Sequence, residues 1–289
     1  PKFYVIFARH QPRKIVAVLE EYSSQFNDIE SSAYREVQSF QRENDEWLSG
    51  LKETLDEKVD GIAEAFSDEV DGDSLDRAYS VIADKLNDSS TWSIDDEEIL
   101  EEYQSAGHDV NAVSEIASLG LDVVEDVSEG LESNYRAAAA GQGAATGAAG
   151  LGGALADLPA LAVNAMRAVH EHATYYGFGL TGDSQRHHAM LVLAVAASSG
   201  DDRQRAVDEL MASAQTLHGV ESDRAGRDST NDEVVEHIVG RLTRGTAVQA
   251  LPMVGSIIGG SLDQAFLKRV CHASRNAYRH RWLLRAYAQ

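Results

Sequence analysis

Twenty consecutive uncharged residues separate Arg136 from Asp157, and most of them are Ala or Gly. No other stretch constrains the fold so tightly. Its length matches a bilayer span, but Ala and Gly contribute little transfer energy beside Leu or Ile. Each helical Gly costs up to about 1 kcal/mol relative to Ala, so such a helix needs close packing to persist. Gly143 and Gly147 supply the spacing that lets two helix backbones approach closely. A second uncharged stretch, Gly245 to Leu262, carries Gly255, Gly259 and Gly260 around Pro252. The two are expected to pack on each other near the middle of the fold through Gly143, Gly147, Gly255 and Gly259. A helix in a protein core, a segment dipping into a membrane and a full span all remain open for the first stretch.

Elsewhere apolar residues recur at helical spacing almost throughout, which predicts an all-α fold without a substantial sheet. From Leu19 to Val70 they follow steps of three and four, with a mean of about 3.64 residues, close to the period of a straight helix. This predicts a long acidic amphipathic helix, or two collinear ones broken near Gly50. One further helix is expected through Val113, Ile116, Val124, Val127, Leu131 and Tyr135 into the alanine-rich segment. Another is expected to begin at Leu158-Pro159, capped by Asp157, and to stop at Gly177, a residue suited to the left-handed position after a helix. The expected architecture is a multi-helix bundle with two central Gly/Ala-rich helices, divided into an acidic region, 1–74, and a helical domain, 75–289.

Charge is distributed unevenly. Residues 1–135 carry 33 acidic and 10 basic side chains, whereas residues 136–289 carry 14 and 15. A net charge of −22 repels phosphate backbones and argues against nucleic acid as a partner. No acid follows Asp263. Lys268, Arg275 and Arg279 fall on one helical stripe, and Arg281 follows closely. These four basic residues either lie against the acidic helices of residues 19–132 or face anionic lipid. The single cysteine, Cys271, rules out an internal disulfide and reads as buried filler. Phe3 to Ala8 is a short apolar run followed by charge rather than by a cleavage site, so no signal peptide is expected.

Signatures of catalysis are missing from the sequence. It contains no GxxxxGK[ST] phosphate loop, no Gly-x-Ser-x-Gly elbow and no Cys-x-x-Cys pair. His170, His172, His187 and His188 lie on consecutive predicted helices and are the candidates for a metal site, with His172 and His187 meeting near the turn. Their spacing matches no zinc-protease pattern, so the expectation is no metal and no cofactor.

The runs Asp157-Leu158-Pro159-Ala160-Leu161, through to Tyr176-Gly177, and Pro252-Met253-Val254-Gly255-Ser256-Ile257-Ile258-Gly259-Gly260, followed by Arg275 to Arg281, resemble the EcsC protein family. The similarity spans residues 75–289. The resemblance implies a prokaryotic helical protein of unassigned biochemical activity. The family's namesake is encoded beside the subunits of an ABC transporter, which implies proximity to a membrane. The family supplies no catalytic residues to carry over.

Three functions follow as expectations. The first is a non-enzymatic accessory protein at the cytoplasmic face of a membrane, touching an anionic surface or a transporter through the basic tail. The second is a scaffold that forms homo-oligomers through residues 19–70. The third is a metal-dependent enzyme using the four histidines.

Overall fold

Asn27 begins the first long helix. Its side chain accepts hydrogen bonds from the amides of Ile29 and Glu30, and Glu30 reaches back to the Asn27 amide at 2.8 Å, a reciprocal cap. The computed structural model describes residues 17–43, 72–137, 150–219, 231–249 and 259–288. Its helices are α1 (Ala17–Glu20), α2 (Asp28–Arg42), α3 (Gly72–Asn87), α4 (Asp96–Ser105), α5 (Val113–Ile116), α6 (Leu121–Val127), α7 (Gly150–Tyr175), α8 (Asp183–Ala197), α9 (Gly200–Leu217), α10 (Asn231–Gln249) and α11 (Gly259–Tyr287). Residues 131–137 are also helical, and two short 3-10 turns, Ser23–Gln25 and Ser89–Trp92, join neighbours. No strand occurs among the described residues, and the fold is an all-α bundle.

The helix expected from Leu19, whether single or broken near Gly50, is corrected. The chain turns at residues 21–27, and α2 ends where Glu43 adopts an extended conformation. Side-chain period did not reveal these breaks because the caps are local polar bonds that leave the apolar rhythm intact. Residues 44–71, the rest of that expected helix, lie outside the described residues. The expected helix over 113–135 is likewise three pieces, with Gly120 as the cap of α6.

At its C-terminus α2 is closed by a residue from elsewhere. The buried Arg203 guanidinium of α9 donates to the carbonyls of Phe40 and Glu43 at 3.2 and 2.8 Å and lies over the Phe40 ring. Cations suit the negative end of a helix dipole. The other end of α2 is held by Tyr287, whose hydroxyl donates to Glu30 at 2.7 Å while its ring packs on Phe26. With Phe40 against His272 at the opposite end, α2 runs antiparallel to α11. Its apolar face of Ala33, Tyr34, Val37 and Phe40 is thereby buried within the chain.

Among the described residues, α8 has an unbroken buried run, from His188 to Ala196. A helix apolar all round belongs at the centre, and α8 contacts α7, α9, α10 and α11. Helix α7 continues through Pro159 instead of starting there. Pro removes one hydrogen bond without ending a helix whose flanks are held by packing, and α7 packs on both α3 and α11. Gly143, Gly147 and Gly255 lie outside the described residues, and Gly259 opens α11.

After α7 the chain reverses at Gly177, where φ is +75°. The amide of Phe178 donates to Ala173 and that of Gly177 to Thr174, closing the last turn. A Cβ at Gly177 would sit 2.6 Å from the Ala117 amide nitrogen, so the turn also needs the missing side chain for backbone approach.

Candidate buried cationic site

Helix α11 carries two groups of cations that meet opposite surroundings. Arg275 and Arg279 are one turn apart and share a face. Both reach Glu125 of α6. Arg279 donates from Nε to Oε1 at 2.6 Å and from Nη2 to Oε2 at 2.5 Å, a two-pronged pair, while Arg275 Nη2 donates to Oε2 at 2.5 Å. The Tyr176 hydroxyl donates to Glu125 Oε1 at 2.5 Å, and Arg279 Nη1 also binds Glu36 of α2. Burial alone would raise the Glu125 pKa; the hydrogen bond and charge of Arg279, then the charge of Arg275, override it and hold it at about 2. This cluster ties α2, α6, α11 and the end of α7 together.

Of the two alternatives open for the basic stripe, Arg275 and Arg279 take the first and lie against acids of residues 19–132, and the burial of Arg279 and Arg281 goes against a membrane or partner contact for these two. They are 5% and 1% exposed. Arg275 is part-exposed and paired to Glu125, and Lys268 is exposed. The fold sets Arg275 and Arg279 against acids of the same chain, which replace the charge stabilisation and hydrogen bonds that a guanidinium loses on leaving water.

Arg281 is not matched. Its guanidinium carbon lies 4.0 Å from the centre of the Phe178 ring and 5.7 Å from that of Tyr278, and Arg285 lies 4.5 Å from the same Phe178 ring. Nε and Nη1 of Arg281 and Nη2 of Arg285 are buried without a hydrogen-bond partner. Around them sit His188, 5.8 Å ring to ring from Tyr278, and His218, 5.7 Å from Phe178. The Tyr278 hydroxyl, His188 Nε2, His218 Nε2 and His280 Nδ1 are buried and unpartnered as well.

Burial lowers the pKa of Arg281, and burial followed by the charge of Arg281 lowers that of Arg285, each to about 10. Both guanidiniums stay charged at neutral pH. Burial holds His218 at about 4 and His280 at about 3, and pushes His188 well below its usual value. These imidazoles are therefore neutral. Among the described residues, no carboxylate contributes to the shift of any of these five groups. That is unexpected in a chain with 47 acids and 25 Lys and Arg.

The histidines selected from sequence fall in different places. His172 is buried beside the Glu125 cluster, with Nδ1 2.7 Å from the Ala168 carbonyl and a pKa held at about 4 by burial. His187 Nδ1 meets Asn231 Oδ1 at 2.9 Å, His188 belongs to the cationic group, and His170 is half-buried and engaged. Among the described residues no three His, Cys, Asp or Glu side chains are grouped to hold a metal ion.

The model of the EcsC protein family matches residues 30–283. This chain belongs to the EcsC protein family. The match takes in α2 as well as the two motifs that carried the resemblance. No curated protein and no solved structure is similar enough to supply a relative or a fold neighbour. No described helix of this EcsC protein is long and apolar enough to cross a membrane.

Two serine–histidine pairs in the EcsC fold bear on catalysis. Ser198 Oγ lies 2.6 Å from the Ala194 carbonyl and 2.8 Å from His237 Nε2. A carbonyl only accepts, so the serine proton points to Ala194 and His237 is the donor to Ser198. His188 Nδ1 lies 3.2 Å from Ser213 Oγ, but burial, then the charge of Arg281, makes it a poor base. Cys271 is buried, which pushes its thiol up to about 12. An open acidic groove of about 470 Å³ runs between α4 and α6, lined by Glu98, Glu101, Glu102 and Asp126.

Sequence reading missed Glu125, Tyr176, Phe178, His218, Tyr278 and Arg285 as site residues. Tyr278, Arg281 and Arg285 follow steps of three and four, a signal that a helical wheel carries. Phe178 and His218 come from distant turns, and nothing local marks them.

Proposed function

We propose that this EcsC protein is a non-enzymatic accessory protein that works by binding at the cytoplasmic face of a membrane, beside a membrane transporter. The observation that carries the non-enzymatic reading is the polarity of the Ser198–His237 pair. A general base must accept the nucleophile's proton, whereas here the imidazole gives one to a serine buried at 0% exposure. The membrane reading draws support from the family resemblance and from the exposed Lys268 in an acid-free segment. A scaffold built through residues 19–70 has less support, because the apolar face of α2 is already covered within the chain.

Co-flotation with vesicles of rising phosphatidylglycerol content tests the membrane reading. Expected is weak flotation that grows with anionic content, fades with salt and drops in Lys268→Glu. A protein that stays at the bottom of the gradient at every composition sinks it.

A further inference from the structure

Arg281 carries a buried charge that no side chain among the described residues neutralises. It is 1% exposed, and His188, Tyr278 and His280 around it are 0%, 0% and 2% exposed. Stacking on Phe178 satisfies the flat face of the guanidinium but not the N–H groups at its edge. Arg285, one turn on, brings a second positive charge to the same ring. Arg285 is half-buried and gives one N–H to the Tyr176 carbonyl at 3.5 Å, but neither guanidinium meets a carboxylate among the described residues, and two such charges side by side are costly unless an anion joins them. The cluster becomes more exposed towards Arg285 and His218, both only half-buried, so those residues mark the side of entry.

We propose that Arg281 and Arg285, with Tyr278, His188, His218 and His280, form a binding site for a phosphate group, carried either by free phosphate or by the phosphomonoester headgroup of a lipid. Charge favours phosphate over a carboxylate, because two guanidiniums call for a dianion. Hydrogen bonding favours it too. The unpartnered donors on the two arginines and on Tyr278 come from several side chains, which a tetrahedral group with three or four oxygens satisfies better than a planar group with two. Each neutral imidazole adjusts its tautomer to donate to an oxygen or to accept from a protonated one. Arg279, two residues away, is unsuited to this task because Glu125 and Glu36 already occupy it.

The test compares wild type with Arg281→Met and Arg279→Met in potassium phosphate and in potassium chloride of matched ionic strength. Binding is followed by calorimetry and by Tm. Wild type should bind inorganic phosphate, with Tm rising with phosphate concentration above the Kd. Arg281→Met should bind about 10- to 100-fold more weakly while melting, without phosphate, at or above the wild-type Tm. That second outcome separates a ligand residue from a structural one, since removing an unmatched buried charge relieves the fold. Arg279→Met should lower Tm and reports what loss of a structural arginine looks like.

A parallel arm replaces inorganic phosphate by vesicles containing phosphatidic acid. A response to phosphate alone assigns a soluble source, and a response to the vesicles alone assigns the headgroup. No response to either, an unchanged response in Arg281→Met, or an Arg281→Met loss of Tm as large as that of Arg279→Met overturns the site. This proposal does not rest on the membrane reading. Flotation that fails while the phosphate response holds sinks only that reading, and the reverse result sinks only this site.

Discussion

Arg279 grips Glu125 through two parallel hydrogen bonds, Nε to Oε1 at 2.6 Å and Nη2 to Oε2 at 2.5 Å. They join α11 to α6 across 154 residues of sequence. Arg281, two residues further on, has no carboxylate beside it among the described residues. The same helix thus carries one arginine whose charge is spent inside the fold and another whose charge is left over.

Glu125→Gln should destabilise the protein by about 3–5 kcal/mol, since it removes the charge that faces the buried Arg279 and Arg275 and turns one of the two acceptor oxygens into a donor that faces a guanidinium or the Tyr176 hydroxyl. Urea unfolding should show a lower midpoint at an unchanged slope. A loss below about 1 kcal/mol would mean that Glu36 alone holds Arg279 and that the Glu125 cluster is dispensable.

Stability should fall with acid in two windows. His172, His218 and His280 have folded-state pKa values of about 4, 4 and 3, depressed by burial. The unfolded chain binds protons first, so stability is full above about 6.5 and drains away as pH falls towards 4. For His172 alone the loss is about 3 kcal/mol. Glu125, depressed to about 2 by Arg279 and Arg275 against its own burial, adds a second loss as pH falls from about 4.5 towards 2. Melts taken from pH 7 to 3 should show the upper slope reduced in His172→Gln. A flat Tm between pH 6.5 and 4.5 would contradict the neutral burial of these imidazoles.

Gly177→Ala and Gly182→Ala separate strain from contact. Both residues have positive φ, +75° and +91°. Only at Gly177 does an added Cβ meet backbone, 2.6 Å from the Ala117 nitrogen; at Gly182 nothing lies within 4 Å. Gly182→Ala should cost about 1–3 kcal/mol, because φ +91° with ψ +161° is a conformation that essentially only Gly adopts, and Gly177→Ala about 1–3 kcal/mol more. Equal losses would show that the α7–α5 approach yields freely.

Cys271 should not react with an aromatic disulfide reagent in the native protein at pH 8. Its thiol is 1% exposed, and burial raises its pKa to about 12. Labelling should follow the unfolding equilibrium as urea is added. Stoichiometric labelling within minutes in buffer would show that α11 opens at that position.

The period of the apolar residues was enough to establish the all-α class, and Gly177 marked the end of α7, because both depend on backbone preferences that act over a few residues. The capping pattern of Asn27 and Glu30 was present in the sequence too, yet the apolar rhythm runs across it, so the long helix expected from Leu19 arrives as separate pieces. Partner choice was not legible. Nothing in residues 1–135 distinguishes Glu125 and Glu36 from the other acids, because selection comes from which helix faces lie together once α2, α6 and α11 have packed. On a helical wheel Arg279 and Arg281 stand about 200° apart. Sequence alone therefore places them on different faces of α11, but only the tertiary structure decides that one face meets carboxylates and the other meets Phe178, Tyr278 and three neutral imidazoles. Charge is a property of the residue; whether it is neutralised depends on neighbours that the chain brings from 100 or more positions away.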